Sequence, residues 1–189
     1  MKNLTFILVL SLASIQSSFA QGQLIFANFG GGANAPVYDT DGVTKLAGSA
    51  FAADLYWAPG VVTDSTVLTA LGAPANFVAS GYFLGGSRTI PGQPGGSTIT
   101  GQVRIWGTAD GGTWESVWAS GSPTARLGAS ILFQITLTEL PIPPNTLTGL
   151  NGHFFGFWPP IGIPEPSTFE VAGLGLAAIL MLRRSHQSG

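Results

Sequence analysis

Residues 130–138 read SILFQITLT and alternate apolar with polar side chains more regularly than any other stretch of the chain. Successive side chains of a β-strand point to opposite faces, so this alternation predicts a strand with one buried face. The buried face carries four large apolar side chains, namely Ile131, Phe133, Ile135 and Leu137. The opposite face is mostly polar and consists of Leu132, Gln134, Thr136 and Thr138.

Stretches on the N-terminal side of this strand show the same period of two. In residues 50–57 one face is apolar and carries Phe51, Ala53, Leu55 and Trp57, and the other carries Ala52, Asp54 and Tyr56. In residues 98–108 the side chains predicted to point inward are Val103 and Ile105, and those predicted to point outward are Gln102, Arg104 and Trp106. Residues 23–29 are apolar on both faces, which favours a central or covered strand.

Weaker signals complete the prediction of the fold. Residues 61–71, 77–84 and 146–157 are further candidate strands. Trp114, Val117 and Trp118 have the i, i+3, i+4 spacing of a short helix. Short strands about ten residues apart, joined by Gly- and Pro-rich turns, predict an all-β fold with a single β-sandwich domain of jelly-roll type.

The composition supports β structure and excludes several classes of function. Only 8% of the residues are charged, against roughly 25% in an ordinary soluble protein. The net charge is −2 and no basic run lies outside the termini, so nucleic acid is not an expected partner. The chain contains no Cys, which excludes disulfides, thiolate nucleophiles and Cys-ligated zinc.

The first 20 residues predict a secretory signal peptide. Lys2 supplies a positive charge and residues 4–13 form a short apolar run. Ser18 and Ala20 are the small residues that signal peptidase requires. We therefore expect export through the Sec translocon and cleavage between Ala20 and Gln21. The apolar run is too short to cross ~30 Å of hydrocarbon.

Residues 164–189 form a second terminal signal. Pro164, Glu165 and Pro166 precede an apolar helix predicted over about 169–182, which ends at Arg183 and Arg184. The apolar segment is only about 18–24 Å long, so the membrane stage is expected to be temporary. The two arginines stay on the cytoplasmic side, which leaves the Pro-Glu-Pro triplet outside.

This order of triplet, short apolar helix and basic end resembles the PEP-CTERM sorting signal of Gram-negative bacteria. The resemblance implies that an exosortase, a membrane protease, cuts the tail near the triplet. It also implies an inner-membrane-anchored intermediate, a final place at the cell surface or outside the cell, and association with exopolysaccharide. Glu170 departs from the family, whose tails usually carry an apolar residue there; a plain membrane anchor is the alternative.

Residues 21–158 form the exported domain between these signals, and residues 159–163 form a Pro/Gly linker to the tail. Residues 51–59 and 102–106 resemble the body domain of PEP-CTERM proteins from Verrucomicrobia-type bacteria, a likeness that implies no known activity. The domain's single His, His153, is more typical of a packed or solvated side chain than of a catalyst, and no G-x-S-x-G motif is present. We expect no catalytic residues and no cofactor.

Asp39-Thr40-Asp41-Gly42 begins like a calcium-binding loop, which makes Asp39 and Asp41 weak calcium candidates. The third ligand before the Gly and the Glu at position twelve are both missing. The first interpretation is therefore a hairpin turn, and no metal site is expected.

The aromatic side chains give the better indication of a ligand. Exposed rings of exported β domains can stack on sugars while polar neighbours fix the orientation. Trp106 shares its predicted strand face with Gln102 and Arg104, and Tyr56 shares a face with Asp54. The candidate glycan contacts are Trp106, Arg104, Gln102 and Tyr56. The alternative is that Trp106 is covered by a loop or by a second sheet.

These patterns favour an exported protein of structural or adhesive type, located at the cell surface or in the extracellular matrix and processed by an exosortase. The alternatives are a carbohydrate-binding module and, third, a polysaccharide-active enzyme. Exposed aromatic rings would favour the binding module, and two carboxylates about 5–9.5 Å apart in a groove would favour the enzyme.

Overall fold

The computed structural model describes residues 21–153 and 155–157. The predicted signal peptide, linker and sorting tail lie outside these residues. The strands are β1 (Gln21–Ala27), β2 (Phe29–Gly30), β3 (Ala33–Asn34), β4 (Gly48–Pro59), β5 (Thr69–Ala70), β6 (Ala75–Ala79), β7 (Tyr82–Pro94), β8 (Thr98–Gly107), β9 (Leu127–Ala129) and β10 (Phe133–Thr136). Helix α1 spans Trp114–Ser120, and short 3-10 helices span Ser65–Val67 and Thr148–Leu150.

Eight strands form one antiparallel sheet in the order β1-β7-β6-β4-β8-β10, with β5 added to β4 and β9 to β8. The sheet curls until its two ends meet. Gln23 on β1 and Thr138 just after β10 exchange backbone hydrogen bonds of 2.7 and 3.1 Å. The prediction of an all-β domain is therefore confirmed. The described residues form this curled sheet and a separate two-stranded sheet of β2 and β3, rather than the two large facing sheets of a jelly roll.

The curl arises because long strands change partners along their length. β7 pairs with β6 at Tyr82 and Phe83, and then with β1 over residues 84–94. The β1–β7 ladder shifts register beside Gly86, whose φ of 74° is accessible to Gly without strain. Such a bulge bends the strand and increases its twist. The stretch 77–84 is predicted as one strand, but it contains the turn of a hairpin between β6 and β7.

The curl encloses one large apolar core. Val103 and Ile105 of β8 lie in it, and so do Phe133 and Ile135 of β10, as the alternation predicted. Ile131 is 41% exposed, because β10 begins only at Phe133.

The end of the described chain belongs to the same core. Phe155 and Phe157 are 1% and 2% exposed. Tyr38 N–H donates to the Phe155 carbonyl at 3.0 Å, and Phe157 N–H donates to the Tyr38 carbonyl at 3.1 Å. The strand predicted over 146–157 is wrong for the part described, which contains a 3-10 helix and a single bridge at Gly156. Its large side chains are buried nevertheless.

Two other local predictions have opposite outcomes. The strand predicted over 61–71 is mostly wrong, because Asp64 caps a 3-10 helix there and only the two residues of β5 are extended. The predicted helix is confirmed as α1. Thr113 and Ser116 form a capping box at its start, and Gly121 ends it in the left-handed conformation. Neither α1 nor any other helix in the described part has the length and hydropathy that a bilayer crossing requires.

Candidate functional site

The outer face of β4 and β8 carries the side chains that the sequence identified as candidates. The ladder places Asp54 opposite Arg104 and Tyr56 opposite Gln102, with Trp106 one step further along the same face of β8. The structure therefore brings all four predicted glycan contacts together and adds Asp54. We call these five residues the outer-face cluster.

The outer-face cluster is covered. The interpretation in which Trp106 lies under a covering segment is confirmed, and the one in which its ring is exposed for a sugar is wrong. Trp106 is 2% exposed and Arg104 is 9% exposed. Helix α1 lies over one end, where Val117 packs in the same apolar group as Trp106. The 3-10 helix that begins at Ser65 lies over the other end, where the Ser65 carbonyl accepts a hydrogen bond from Arg104. A ring buried to this extent cannot offer a face to a sugar, so Trp106 is not a glycan contact in this structure.

Arg104 organises the outer-face cluster. Its guanidinium carbon lies 4.0 Å from the ring centroid of Tyr56 and 4.5 Å from that of Trp114. In the guanidinium plane, Nε donates to Gln102 Oε1 at 3.0 Å and Nη2 donates to the Ser65 carbonyl at 2.9 Å. Aromatic contacts together with directed hydrogen bonds fix both the position and the orientation of this charge.

Glu115 closes the cluster on the solvent side. Its side chain is 58% exposed, and its Oε1 lies 3.7 Å from Arg104 Nη1. The same oxygen accepts a hydrogen bond from the Tyr56 hydroxyl at 2.5 Å. Burial, followed by this hydrogen bond, raises the pKa of Tyr56, so the phenol remains a proton donor at neutral pH. The sequence reasoning did not single out Glu115; the only signal was its place in the predicted helix, three residues before Trp118.

Asp54 is the buried acid of the cluster. It is 5% exposed, and its Oδ1 accepts a hydrogen bond from the backbone N–H of Leu55 at 2.8 Å. Burial raises the pKa of Asp54 to about 6, and the charge of Glu115 acts in the same direction. The hydrogen bond from Leu55 and the charge of Arg88 oppose this shift. A carboxyl group with this pKa changes its charge just below neutral pH.

Two indole N–H groups are buried without a hydrogen-bond acceptor in the described part of the chain: that of Trp106 in the cluster and that of Trp114 beside it. Leaving such a donor unpaired costs about 1–3 kcal/mol. The apolar area of a buried indole ring outweighs this cost. Packing rather than polar recognition therefore positions these two rings.

Helix α1 also presents an aromatic pair on its outer side. Trp114 and Trp118 stack with ring centroids 5.3 Å apart and planes within 9° of parallel, as their i, i+4 spacing allows. Trp118 is 56% exposed. Tyr56, Arg104, Trp114 and Trp118 thus form a continuous series of contacts from the sheet to the surface.

The acidic turn at 39–42 is built as a hairpin. Asp39 N–H donates to the Thr44 carbonyl at 2.7 Å, and Gly42 N–H donates to the Asp39 carbonyl at 2.9 Å. Asp41 accepts hydrogen bonds from the Thr44 hydroxyl and from two backbone N–H groups, which lower its pKa. Over residues 21–153 and 155–157, no group of three or more His, Asp or Glu side chains could hold a metal ion.

The remaining polar groups do not assemble into a second cluster within the described residues. Asp64 caps a 3-10 helix, Asp110 lies 3.5 Å from Arg126, and His153 lies in an exposed turn. A groove of about 360 Å³ runs between residues 61–63 and β10. Only apolar and neutral polar residues line this groove, so it contains no acid or base.

Comparisons of the chain with protein families, with curated proteins and with solved structures found no match.

Proposed function

We propose that this chain is an exported bacterial protein of structural or adhesive type, which an exosortase processes and which associates with exopolysaccharide at the cell surface or in the extracellular matrix. The observation that carries the proposal is the order of Pro164-Glu165-Pro166, the apolar segment and Arg183-Arg184. Each proline fixes φ and disfavours helix for the residue before it, so the sequence favours an extended triplet. An extended segment outside the bilayer is a suitable protease substrate.

The contacts of the polar side chains in the domain support the proposed structural role. Each charged residue of the outer-face cluster contacts the backbone: Asp54 accepts a hydrogen bond from Leu55, and Arg104 donates one to Ser65. Arg104 is held between two aromatic rings, and Glu115 binds Tyr56. The groove beside β10 contains no titratable side chain. Polar groups used in this way stabilise and orient the fold.

The short sequence separation between the core and the Pro-Glu-Pro triplet is compatible with the membrane stage. Phe157 is the last core residue in the described part of the chain, and the triplet begins at Pro164. The intervening residues can span at most about 25 Å when fully extended. In the anchored intermediate the folded domain therefore stays close to the membrane surface, with the triplet between the two.

Replacing Glu165 by Ala tests the proposal. We expect the variant to be exported and folded but not released, because the processing motif is lost while the apolar segment and Arg183-Arg184 are kept. The measurement is fractionation of the producing cells, followed by a blot for the domain in the membrane, surface and medium fractions.

Glu170→Ala is the matched control, since it removes a carboxylate from the same tail outside the triplet. It should be processed like the wild type. Equal release of the Glu165→Ala variant and the wild type would contradict the proposal and would favour a plain anchor or a different cleavage signal.

A carbohydrate-binding module is the second candidate. The observation that favours it is the exposed, stacked indole of Trp118. This candidate is compatible with the first, because association with a polysaccharide matrix requires a surface that contacts sugar.

A further inference from the structure

The side chain of Asn151 ties the β2–β3 hairpin to the 3-10 helix at Thr148–Leu150, which it directly follows. Its Oδ1 accepts a hydrogen bond from the Asn34 backbone N–H at 2.7 Å, and its Nδ2 donates to the Gly32 carbonyl at 2.7 Å. The carboxamide therefore binds the edge of the hairpin as the amide of a neighbouring strand would, with one donor and one acceptor. A carboxylate in this place would have no donor for the Gly32 carbonyl.

The residue after Asn151 is Gly152, whose backbone nitrogen is unusually accessible. Among the Asn residues of the described part, only Asn151 precedes a glycine. A glycine has no Cβ to shield its nitrogen, and Gly152 N–H donates no hydrogen bond to any described residue. Both residues are exposed. A nucleophilic nitrogen and the side-chain carbonyl of Asn151 are therefore adjacent in one chain, which makes ring closure between them an intramolecular reaction.

The turn itself requires this glycine. Gly152 has a φ of 75°, which is strained for a residue that carries a Cβ. A Cβ added to Gly152 would meet no atom within 4 Å, so the backbone conformation rather than a lack of space selects glycine here. The same turn therefore leaves the nitrogen beside Asn151 unshielded.

We propose that Asn151 is a site of spontaneous deamidation, and that the reaction detaches the β2–β3 hairpin from the end of the domain. The Gly152 nitrogen attacks Asn151 Cγ and loses its proton to solvent. The bond from Cγ to Nδ2 then breaks, and the nitrogen takes up a proton and leaves as ammonia. Water opens the resulting cyclic imide at either carbonyl and gives Asp or isoaspartate. In sum, one water is consumed and one ammonia is released, without oxidation and without another reactant.

The contacts with the hairpin delay this reaction in the folded chain. Asn151 has an extended backbone with a ψ of 135°, and its side chain is held toward Gly32 and Asn34. The carboxamide must leave the hairpin before the Gly152 nitrogen can reach Cγ. Because both hydrogen bonds are exposed, this local opening requires less free energy than unfolding of the whole domain. The rate of deamidation therefore depends on how often the hairpin separates from Asn151.

The products cannot restore the contact. An Asp side chain places a charged oxygen against the Gly32 carbonyl, and two acceptors repel each other. In isoaspartate the main chain runs through the former side chain, so both hydrogen bonds of Asn151 are lost. Another hydrogen bond of the hairpin turn, from the Thr146 hydroxyl to the Gly31 carbonyl at 3.1 Å, is left in place. Deamidation therefore loosens the hairpin irreversibly.

The first test is a timed incubation of the purified full chain in mildly alkaline buffer, followed by proteolysis and peptide mass spectrometry. Asn34 and Asn145 are internal controls: they are also exposed, but they precede Ala35 and Thr146, whose side chains shield the following nitrogen. We expect Asn151 to be converted to Asp and isoaspartate at least about tenfold faster than either control. Similar rates at the three positions would overturn the proposal.

The second test asks whether the hairpin controls the rate. Thr146→Val removes the other hydrogen bond of the turn and should accelerate deamidation of Asn151 about fivefold, the factor that corresponds to one hydrogen bond. Thr108→Val is the matched control, because the Thr108 hydroxyl donates to the Ser49 carbonyl at 3.0 Å in another part of the sheet. Thermal unfolding checks that both variants fold. Wild type unfolded in urea needs no variant and should react several-fold faster than the folded chain. An equal rate in the folded and unfolded wild type, or equal rates in the two variants, would contradict the control by the hairpin.

The third test measures the consequence of the reaction. In hydrogen exchange, residues 29–34 of Asn151→Asp and of the aged wild type should exchange at least about fivefold faster than those of the fresh wild type. Helix α1, which does not contact Asn151, should exchange equally in all three samples. Unchanged exchange of the hairpin in Asn151→Asp would show that the tie does not hold it.

Discussion

At the scale of single residues, Asp54 shows how a covering layer changes the pKa of a side chain on a strand. Alternation along β4 places its carboxyl group on the outer face, where a solvated Asp would be ordinary. The layer formed by α1 and the 3-10 helix at Ser65–Val67 removes water from that face. Arg88 and Arg104 lie nearby, but the hydrogen bond found for Asp54 is to the backbone of Leu55. Burial therefore dominates, and the pKa rises.

Asp54 should make the stability of the domain depend on pH. Its pKa rises from 3.8 to about 6 on folding, so the folded state binds the proton more tightly than the unfolded chain does. The resulting stabilisation is fully present below about pH 4 and is lost as the pH rises through about 6. Relative to Asp54→Asn, the free energy of unfolding of the wild type should fall by roughly 1–3 kcal/mol between these limits. Urea denaturation at intervals from pH 4 to 7 measures this difference.

The Asn variant is the suitable comparison because it keeps the shape of a neutral Asp. The other titratable groups are common to both proteins, so their contributions cancel in the difference. Parallel stability curves for the two proteins over the whole range would show that the Asp54 pKa is not raised.

At the scale of elements, the short helix α1 covers the sheet on one side and presents aromatic surface on the other. Val117 faces the sheet and packs with Trp106, while Trp118 points outward. The capping box at Thr113 and Ser116 lets seven residues hold a helical conformation, although a helix of this length is marginal alone. Packing against Trp106 supplies the rest of its stability.

Trp106→Ala should strongly destabilise the domain. The ring is 2% exposed, so its loss opens a cavity between β8 and α1, and we expect the free energy of unfolding to fall by about 3–5 kcal/mol. Trp118→Ala, on the outer side of the same helix, is the control and should cost about 1 kcal/mol or less. Chemical denaturation of the two variants beside the wild type provides the comparison. Similar small losses in both would mean that the Trp106 ring is not part of the core.

At the scale of the whole molecule, contacts between residues far apart in sequence close the sheet and secure its end. Gln23 pairs with Thr138, and Tyr38 pairs with the segment around Gly156. With no Cys in the chain, these contacts and the core they enclose must provide the stability that disulfides give to many exported domains. The attachment of β1 to the rest of the domain therefore depends in part on residues more than a hundred positions away in the sequence.

Removing the end of the domain should unfold it. A chain of residues 21–152 lacks Phe155 and Phe157, each of which should contribute about 3–5 kcal/mol. Their combined loss approaches the total stability of a typical domain, about 5–15 kcal/mol. A chain of residues 21–158 keeps both rings and is the control. Near-ultraviolet circular dichroism and the cooperativity of thermal unfolding should distinguish the two. A cooperative transition in the shorter chain would show that these rings are dispensable.

The sequence supported correct predictions where local periodicity was strong. The inward faces of β8 and β10 and the helix at Trp114 follow from the spacing of apolar side chains alone. The length of β7 was missed because its glycines and prolines resemble turns; the structure uses Gly86 as a bulge within a strand. The stretch 61–71 contains several Val and Thr residues, which favour strands, but Asp64 competes by capping a 3-10 helix.

The amino-acid sequence by itself determined the β class of the domain, the absence of disulfides, and the faces to which Tyr56, Gln102, Arg104 and Trp106 belong. It did so because strand faces depend only on the parity of residue positions. Only the tertiary structure decided that this face is covered, that the sheet closes on itself, and that Trp118 rather than Trp106 is exposed. These outcomes depend on which distant segments pack together, and a period of two along one strand carries no information about what lies above it.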